Sequence, residues 1–373
     1  MTRTSSQSDR MERTESVTEH RIKKRICRIG IGAGLLLLLF VLSGCGEDTR
    51  SFDQAGKDLE QGSYSYALSG YQDSIAQEVR STLSMRGAGI ACLRMGDYNK
   101  AVEYFTQALG QKDAEGSLRK DLLSYRATAF YSAEDYANAM ADCQTLAEEF
   151  KNDAQTHFIT GCVALAMDSY DEAQAEFNAS YEMDPSYDNA IRIYEIYLDR
   201  GMEADGTKYL ERSLKDNEGK GGSACDRGRI YYYMEDYDRA AQELIESSND
   251  NNSEATLLLG MVYLARHDAS NARAMYQQYI QNEPKRAAKG YNGLALCDVE
   301  EEKYDSALNN IQLGIPTATT EEMQSLLFNE IVIYEKMLDF ASARMKAEEY
   351  LAMFPEDKKA SRELTFLRNR TLS

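Results

Sequence analysis

Tryptophan is absent from the 373-residue chain, proline occurs four times and histidine three times. So few prolines leave long stretches free of the residue that most strongly breaks helices, because proline has no N–H to donate inside one. Runs of β-branched residues are scarce as well, while Ala, Glu, Leu and Tyr are abundant, so the chain reads as helical throughout. Positive charge is also short. The formal net charge is -19, and because residues 1–44 hold eight Lys/Arg against four Asp/Glu, the remainder carries -23. Binding to phosphate backbones needs clustered cations, so a nucleic-acid partner is excluded on this reading. An anionic membrane surface should repel the same body.

Scarce histidine and scattered thiols limit the chemistry. His20 lies in the leader, while His157 and His267 stand far apart without Cys or carboxylate at metal spacing, so neither a metal nor a cofactor is expected. No P-loop, dinucleotide-binding glycine string or HExxH occurs. Ser117-Leu118-Arg119-Lys120 has the SxxK spacing, yet it reads as a loop between helices and lacks the companion motifs of penicillin-binding proteins. Acidic clusters at 246–254 and 300–302 lack the ligand order and central glycine of an EF-hand and read as solvated turns. Cys92, Cys143, Cys162, Cys225 and Cys297 have no short-range pairing and read as small apolar packing residues. No catalytic residue is expected, and the chain reads as a non-enzyme.

The first 45 residues read as an address. Arg21, Lys23, Lys24, Arg25 and Arg28 precede an apolar run from Ile29 to Leu42. As a helix that run spans roughly 21 Å, short of a ~30 Å hydrocarbon core, which is the layout of a secretory signal. It ends in Leu42-Ser43-Gly44-Cys45. This string resembles the lipobox of bacterial lipoproteins: a leucine, two small residues, then the cysteine that is acylated and becomes the mature N-terminus. The resemblance implies loss of residues 1–44, lipid on Cys45, and a place at the extracytoplasmic face of a bacterial cell membrane. An uncleaved signal anchor is the alternative, and Met11 offers a second start nearer the basic residues.

Beyond the leader one unit recurs. Gly96-Asp97-Tyr98-Asn99-Lys100-Ala101 returns around Tyr136/Ala139, Tyr170/Ala173, Tyr237/Ala240 and Tyr304/Ala307. Weaker copies lie at Tyr64/Ala67, Glu203/Gly206, Ala269/Ala272 and Phe340/Ala343, with spacings of 32 to 38 residues. The pattern resembles the tetratricopeptide repeat, a helix-turn-helix of about 34 residues. Nine residues before each turn position stand Ala55, Gly89, Ala127, Gly161, Gly228, Gly260 and Ala295, with Tyr194 and Ile331 breaking the row. In the family that small residue lies where the two helices of a repeat approach most closely. Seven residues after the turn position come bulky side chains such as Tyr71, Phe105, Phe177, Leu244, Tyr276 and Ile311. Pro185, Pro284 and Pro355 fall where a second helix must stop.

The expected fold is therefore all-α: a right-handed α-solenoid of about nine tetratricopeptide-type repeats over 51–355, with a capping helix and tail over 356–373. Residues 45–50 form the lipidated tether. Two irregularities stand out: about four extra residues near 111–116, expected as a longer loop, and a glycine-rich stretch at 216–223. The latter is either a break between sub-arrays or a long loop within one.

In this family the first helix of each repeat lines the concave face and exposes its second, fifth, ninth and twelfth residues. Carried over by register, those positions include Arg86, Ile90, Tyr131, Phe158, Leu165, Ile191, Arg229, Tyr232, Leu257, Met261, Lys289, Asn292 and Phe328. Such a set suits an extended or helical peptide segment. Lys289 and Asn292 are only a fragment of the paired Lys/Asn pattern with which some members grip a C-terminal carboxylate. The expected function is a membrane-anchored scaffold that binds a protein partner. Its alternatives are an assembly factor for an outer-membrane or pilus-type envelope complex, and a small-ligand receptor or enzyme with a pocket in the superhelix.

Overall fold

The computed structural model describes residues 49–151, 153–218, 223–249, 252–355 and 357–371. The signal peptide, the lipobox and residues 219–222 of the glycine-rich stretch lie outside the described residues. Within them the chain forms nineteen α-helices and two short 3-10 helices, and no strand. Two compact units are distinguished, residues 49–230 with 339–371, and residues 231–338.

In the first unit the helices come in pairs, an A helix and a B helix. They are α1 (Arg50–Glu60) and α2 (Tyr64–Ala76), α3 (Ser81–Met95) and α4 (Tyr98–Leu109), α5 (Gly116–Ser132) and α6 (Tyr136–Glu149), α7 (Ala154–Ala166) and α8 (Tyr170–Met183), and α9 (Tyr187–Asp199) and α10 (Glu203–Asp216). Next comes α11 (Ala224–Tyr233), whose residues up to Ile230 belong to this unit, as do the late helices α18 (Phe340–Met353) and α19 (Lys358–Thr371). The second unit holds α12 (Tyr237–Asn249), α13 (Ser253–Ala265), α14 (Ala269–Asn282), α15 (Ala288–Glu300), α16 (Tyr304–Gly314) and α17 (Thr320–Lys336).

All nine turn positions identified in the sequence are the first residue of a B helix. Each is preceded, two residues earlier, by a backbone in the left-handed region. Gly62, Gly96 and Gly201 occupy it without steric penalty, whereas Glu134, Asp168, Glu235, His267, Glu302 and Leu338 hold it at φ 57–62°. The left-handed residue lets the next amide turn back onto the helix it leaves: Asp97 N–H donates to Cys92 O at 2.9 Å, and Asp135 N–H to Phe130 O at 2.9 Å. One residue later the B helix is capped. Asp97, Asp135, Asp236, Asp268 and Asp339 each accept the amide three residues on, at 3.1–3.3 Å.

Close approach of A and B helices explains the small residues. A Cβ at Gly89 would meet the Phe105 ring at 2.6 Å, one at Gly161 the Phe177 ring at 2.8 Å, and one at Gly260 the Tyr276 ring at 2.8 Å. The partner alanines Ala67, Ala101, Ala139, Ala173, Ala240, Ala272, Ala307 and Ala343 are all fully buried. In most repeats the core is thus an aromatic or aliphatic side chain seated on a glycine or alanine of the helix opposite.

The long spacing before α6 is only partly a loop. α4 ends at Leu109, α5 begins at Gly116, and α5 runs for 17 residues. Ser117 and Lys120 accordingly stand at the start of a helix rather than in a loop. The added helical turn is held by the B helix of its own repeat and by the start of the next: Arg119 binds Glu149 with two bonds of 2.6 and 2.8 Å, and Lys120 reaches Asp153, the cap of α7, at 2.7 Å.

Candidate protein-interaction surface

The A-helix positions separate into two kinds. In residues 49–230 several are spent on neighbouring repeats. Arg86 on α3 donates to Asp121 on α5 at 2.5 Å and lies 5.3 Å from the centre of the Tyr125 ring. Arg229 on α11 is buried and bonds Asp188 on α9, with Asp226 at 3.5 Å. Phe158 on α7 is half-buried, packs on Phe177 at 6.0 Å and carries the Arg192 guanidinium 4.0 Å from its ring centre. Arg192 also donates to Gln155 at 2.9 Å, and burial pulls its guanidinium below the ordinary arginine value. Tyr131 is half-buried and tilts against Tyr136 at 5.9 Å; burial raises its phenol. Ile90, Leu165 and Ile191 are buried.

In residues 231–338, Tyr232 is buried between the rings of Tyr233 and Tyr237, both at 6.0 Å. Asn292 on α15 is buried and accepts from Asn329 on α17 at 2.8 Å. Lys289, one turn earlier on the same helix, stands 3.9 Å from Glu322. Leu257, Met261 and Phe328 are half-buried. The structure therefore brings Lys289 and Asn292 together on one helix, each tied to α17, and keeps Arg86, Phe158 and Arg229 as separate centres.

The partners of these side chains were not singled out from the sequence. Asp121 and Asp188 each occupy the second position of their repeat, opposite an arginine of a neighbouring repeat, so opposite charge at that spacing was the signal available. The capping aspartates were also readable, since an Asp three residues before a polar or basic residue at a helix start marks an N-cap.

The described residues hold no group of three His, Cys, Asp or Glu that could bind a metal ion. His157 bonds Glu176 at 2.6 Å and His267 bonds Glu300 at 2.7 Å through Nδ1. All five described cysteines are buried and free of disulfides. Burial pushes the Cys143 thiol up to about 11 and those of Cys92 and Cys297 up to about 12, which keeps them protonated at neutral pH.

This succession of A and B helices, with a small residue under most bulky ones, is matched by the sequence model of the tetratricopeptide repeat over residues 86–154 and 225–309. Those residues are tetratricopeptide repeats. The same left-handed turn precedes all nine B helices, inside and outside the matched stretches, so the fold is an all-α tetratricopeptide array. Among solved structures the chain is similar to yeast Tom70, with 15% identity over 87% of this chain and 89% of that one and a TM-score of 0.41. It is also similar to a tetratricopeptide repeat protein from Parabacteroides merdae, with 15% identity over 66% and 97% and a TM-score of 0.40. A third is human IFIT1, solved as a dimer with PPP-AAAA, with 16% identity over 85% and 80% and a TM-score of 0.44. No curated protein matches the sequence.

Proposed function

We propose that this chain is an exported, lipid-anchored interaction scaffold that holds a protein partner against the A helices of its tetratricopeptide repeats. The observation that carries this reading is the economy of the array. The described residues from 50 to 371 form paired helices, their connections and a final helix, while polar centres among them such as Arg86, Arg126 and Arg273 are spent on neighbouring helices. Tetratricopeptide arrays act by presenting a continuous surface built from successive repeats. Attachment through Cys45 rests on the Leu42-Ser43-Gly44-Cys45 string and on the basic and apolar segments before it. Two or more acyl chains on that cysteine would hold the protein at a bilayer, at about 0.8 kcal/mol per buried methylene. The reading excludes a catalytic role. None of the described helices is long and apolar enough to cross a membrane, and this reading takes its anchor from the lipid on Cys45.

In-cell crosslinking followed by mass spectrometry tests the scaffold: a defined protein partner should be recovered, with crosslinks mapping to A helices. Recovery only through B-helix or loop residues would overturn the choice of surface. Cys45→Ala tests the anchor by fractionation. The variant should leave the lipid-modified membrane fraction, and processed wild-type protein found free of membranes would end the lipoprotein reading.

A further inference from the structure

The two kinds of A-helix surface differ in what they leave open. In residues 49–230 the positions at Ile90, Leu165 and Ile191 are buried, and Arg86 and Arg229 are neutralised by Asp121 and Asp188. In residues 231–338 the fifth and ninth positions, apart from the buried Asn292, form instead a half-buried apolar series. It consists of Leu257 and Met261 on α13, Leu296 on α15, and Phe328 and Val332 on α17. The residues on α13 and on α17 are four apart, so each pair shares one face of its helix. Leu257, Met261 and Leu296 pack at their inner ends on the cluster of Leu264, Tyr276, Leu294 and Cys297, which fixes them in place.

Acidic residues outnumber basic ones around this series. Residues 231–338 contain eighteen Asp/Glu and eight Lys/Arg. On the same three helices stand the exposed Glu254 and the half-buried Glu300, Glu322 and Glu335, while Lys289 lies beside Glu322. Apolar anchors within an acidic field attract a ligand of opposite pattern. We propose that the A-helix surface of α13, α15 and α17 receives a basic amphipathic helix of the partner, its apolar face on Leu257, Met261, Leu296 and Phe328 and its Lys/Arg toward the surrounding glutamates. This rests on the scaffold reading and names the partner's chemistry and its landing place.

The test uses the chain from residue 45 with Cys45→Ser, which keeps every described helix. The probe is a labelled Leu/Lys peptide of about 18 residues with leucines at helical spacing, titrated at about 0.15 M salt. Two controls are a Leu/Glu peptide of the same pattern and a scrambled Leu/Lys peptide of the same composition. The amphipathic basic peptide should bind, and both controls should bind at least about tenfold more weakly. Leu257→Gln with Leu296→Gln should weaken binding about tenfold. Glu254→Lys, an exposed change that leaves the core alone, should weaken it several-fold. Equal binding of the scrambled peptide would reduce the effect to bulk charge and overturn the proposal. So would unchanged binding by both variants, which would put the peptide elsewhere. If the crosslinked partner maps to residues 49–230 while this peptide fails to bind, this inference falls and the scaffold stands; if no partner is captured at all, the scaffold reading falls.

Discussion

Gly206 and Tyr194 exchange the sizes that their positions have elsewhere in the array. In most repeats the A helix offers a glycine or alanine and the B helix an alanine, but in the fifth the A helix carries the fully buried Tyr194. The B helix answers with Gly206, where an added Cβ would lie 3.0 Å from both Cα and O of Tyr194. The two departures from the repeat pattern are therefore one compensated change. Gly206→Ala should cost about 1–3 kcal/mol through overpacking, read as a lower denaturant midpoint. Tyr194→Ala should cost about 3–5 kcal/mol by leaving a cavity. On a Tyr194→Ala background Gly206→Ala should keep most of its cost, because the Cα and O that its Cβ meets belong to the backbone and remain, so the two costs should nearly add.

The left-handed turns give a prediction of the opposite sign. Glu302 and Leu338 are exposed and hold φ at 57° and 61°. Side chains disfavour that region by about 1–2 kcal/mol, and glycine's extra freedom in the unfolded chain takes part of this back. Glu302→Gly and Leu338→Gly should each therefore stabilise by about 0.5–1 kcal/mol, visible as a higher Tm. Gly96→Ala, at φ 82°, should move Tm down.

Asp298 on α15 is a buried carboxylate with three side-chain donors. It accepts from Arg273 at 2.8 Å, Ser306 at 2.6 Å and Asn310 at 2.7 Å, which ties α14, α15 and α16 together. Asp298→Ala leaves the Arg273 guanidinium with Glu301 alone and should destabilise by about 3–5 kcal/mol. Asp142, buried and held by two bonds from Arg126, should behave alike. Chemical denaturation of each variant checks both.

Acid should loosen the B-helix starts. The Asp236, Asp268 and Asp339 carboxyls are held below the usual aspartate value, first by side-chain hydrogen bonds from Arg239, Asn271 and Ser342 and then by the capped amides. A lowered folded value means that the contribution is complete above the ordinary aspartate range near ~3.9 and is lost as pH falls through the folded value. Helical circular dichroism should stay level down to that range and decline below it. In Asp268→Asn the amide keeps an acceptor for the cap without titrating, so the acid loss should be smaller.

The buried thiols should be inert in the folded protein. With burial raising Cys92, Cys143 and Cys297, the five described cysteines should react with a thiol reagent only on unfolding. Rapid labelling of native chain from residue 45 with Cys45→Ser would contradict their placement.

The sequence alone determined the repeat. Only a small side chain lets two helices approach, and only a turn can join them, so Ala67 through Ala343 and the residues at the turn positions had to recur at fixed spacing. That recurrence survives without knowledge of any contact. It also shows in the SxxK string and the isolated histidines, whose neighbours in sequence never supplied a constellation. The tertiary structure decided what each A-helix residue touches. Arg86 and Arg229 look like ligand-binding cations when read along one repeat. Their counter-ions, Asp121 and Asp188, come from neighbouring repeats 35 and 41 residues away. Register assigns a residue to a face, whereas burial and charge pairing depend on the stacking of one repeat on the next. That is why the half-buried series from Leu257 to Val332 could be told from the buried Ile90, Leu165 and Ile191 only once the helices were packed.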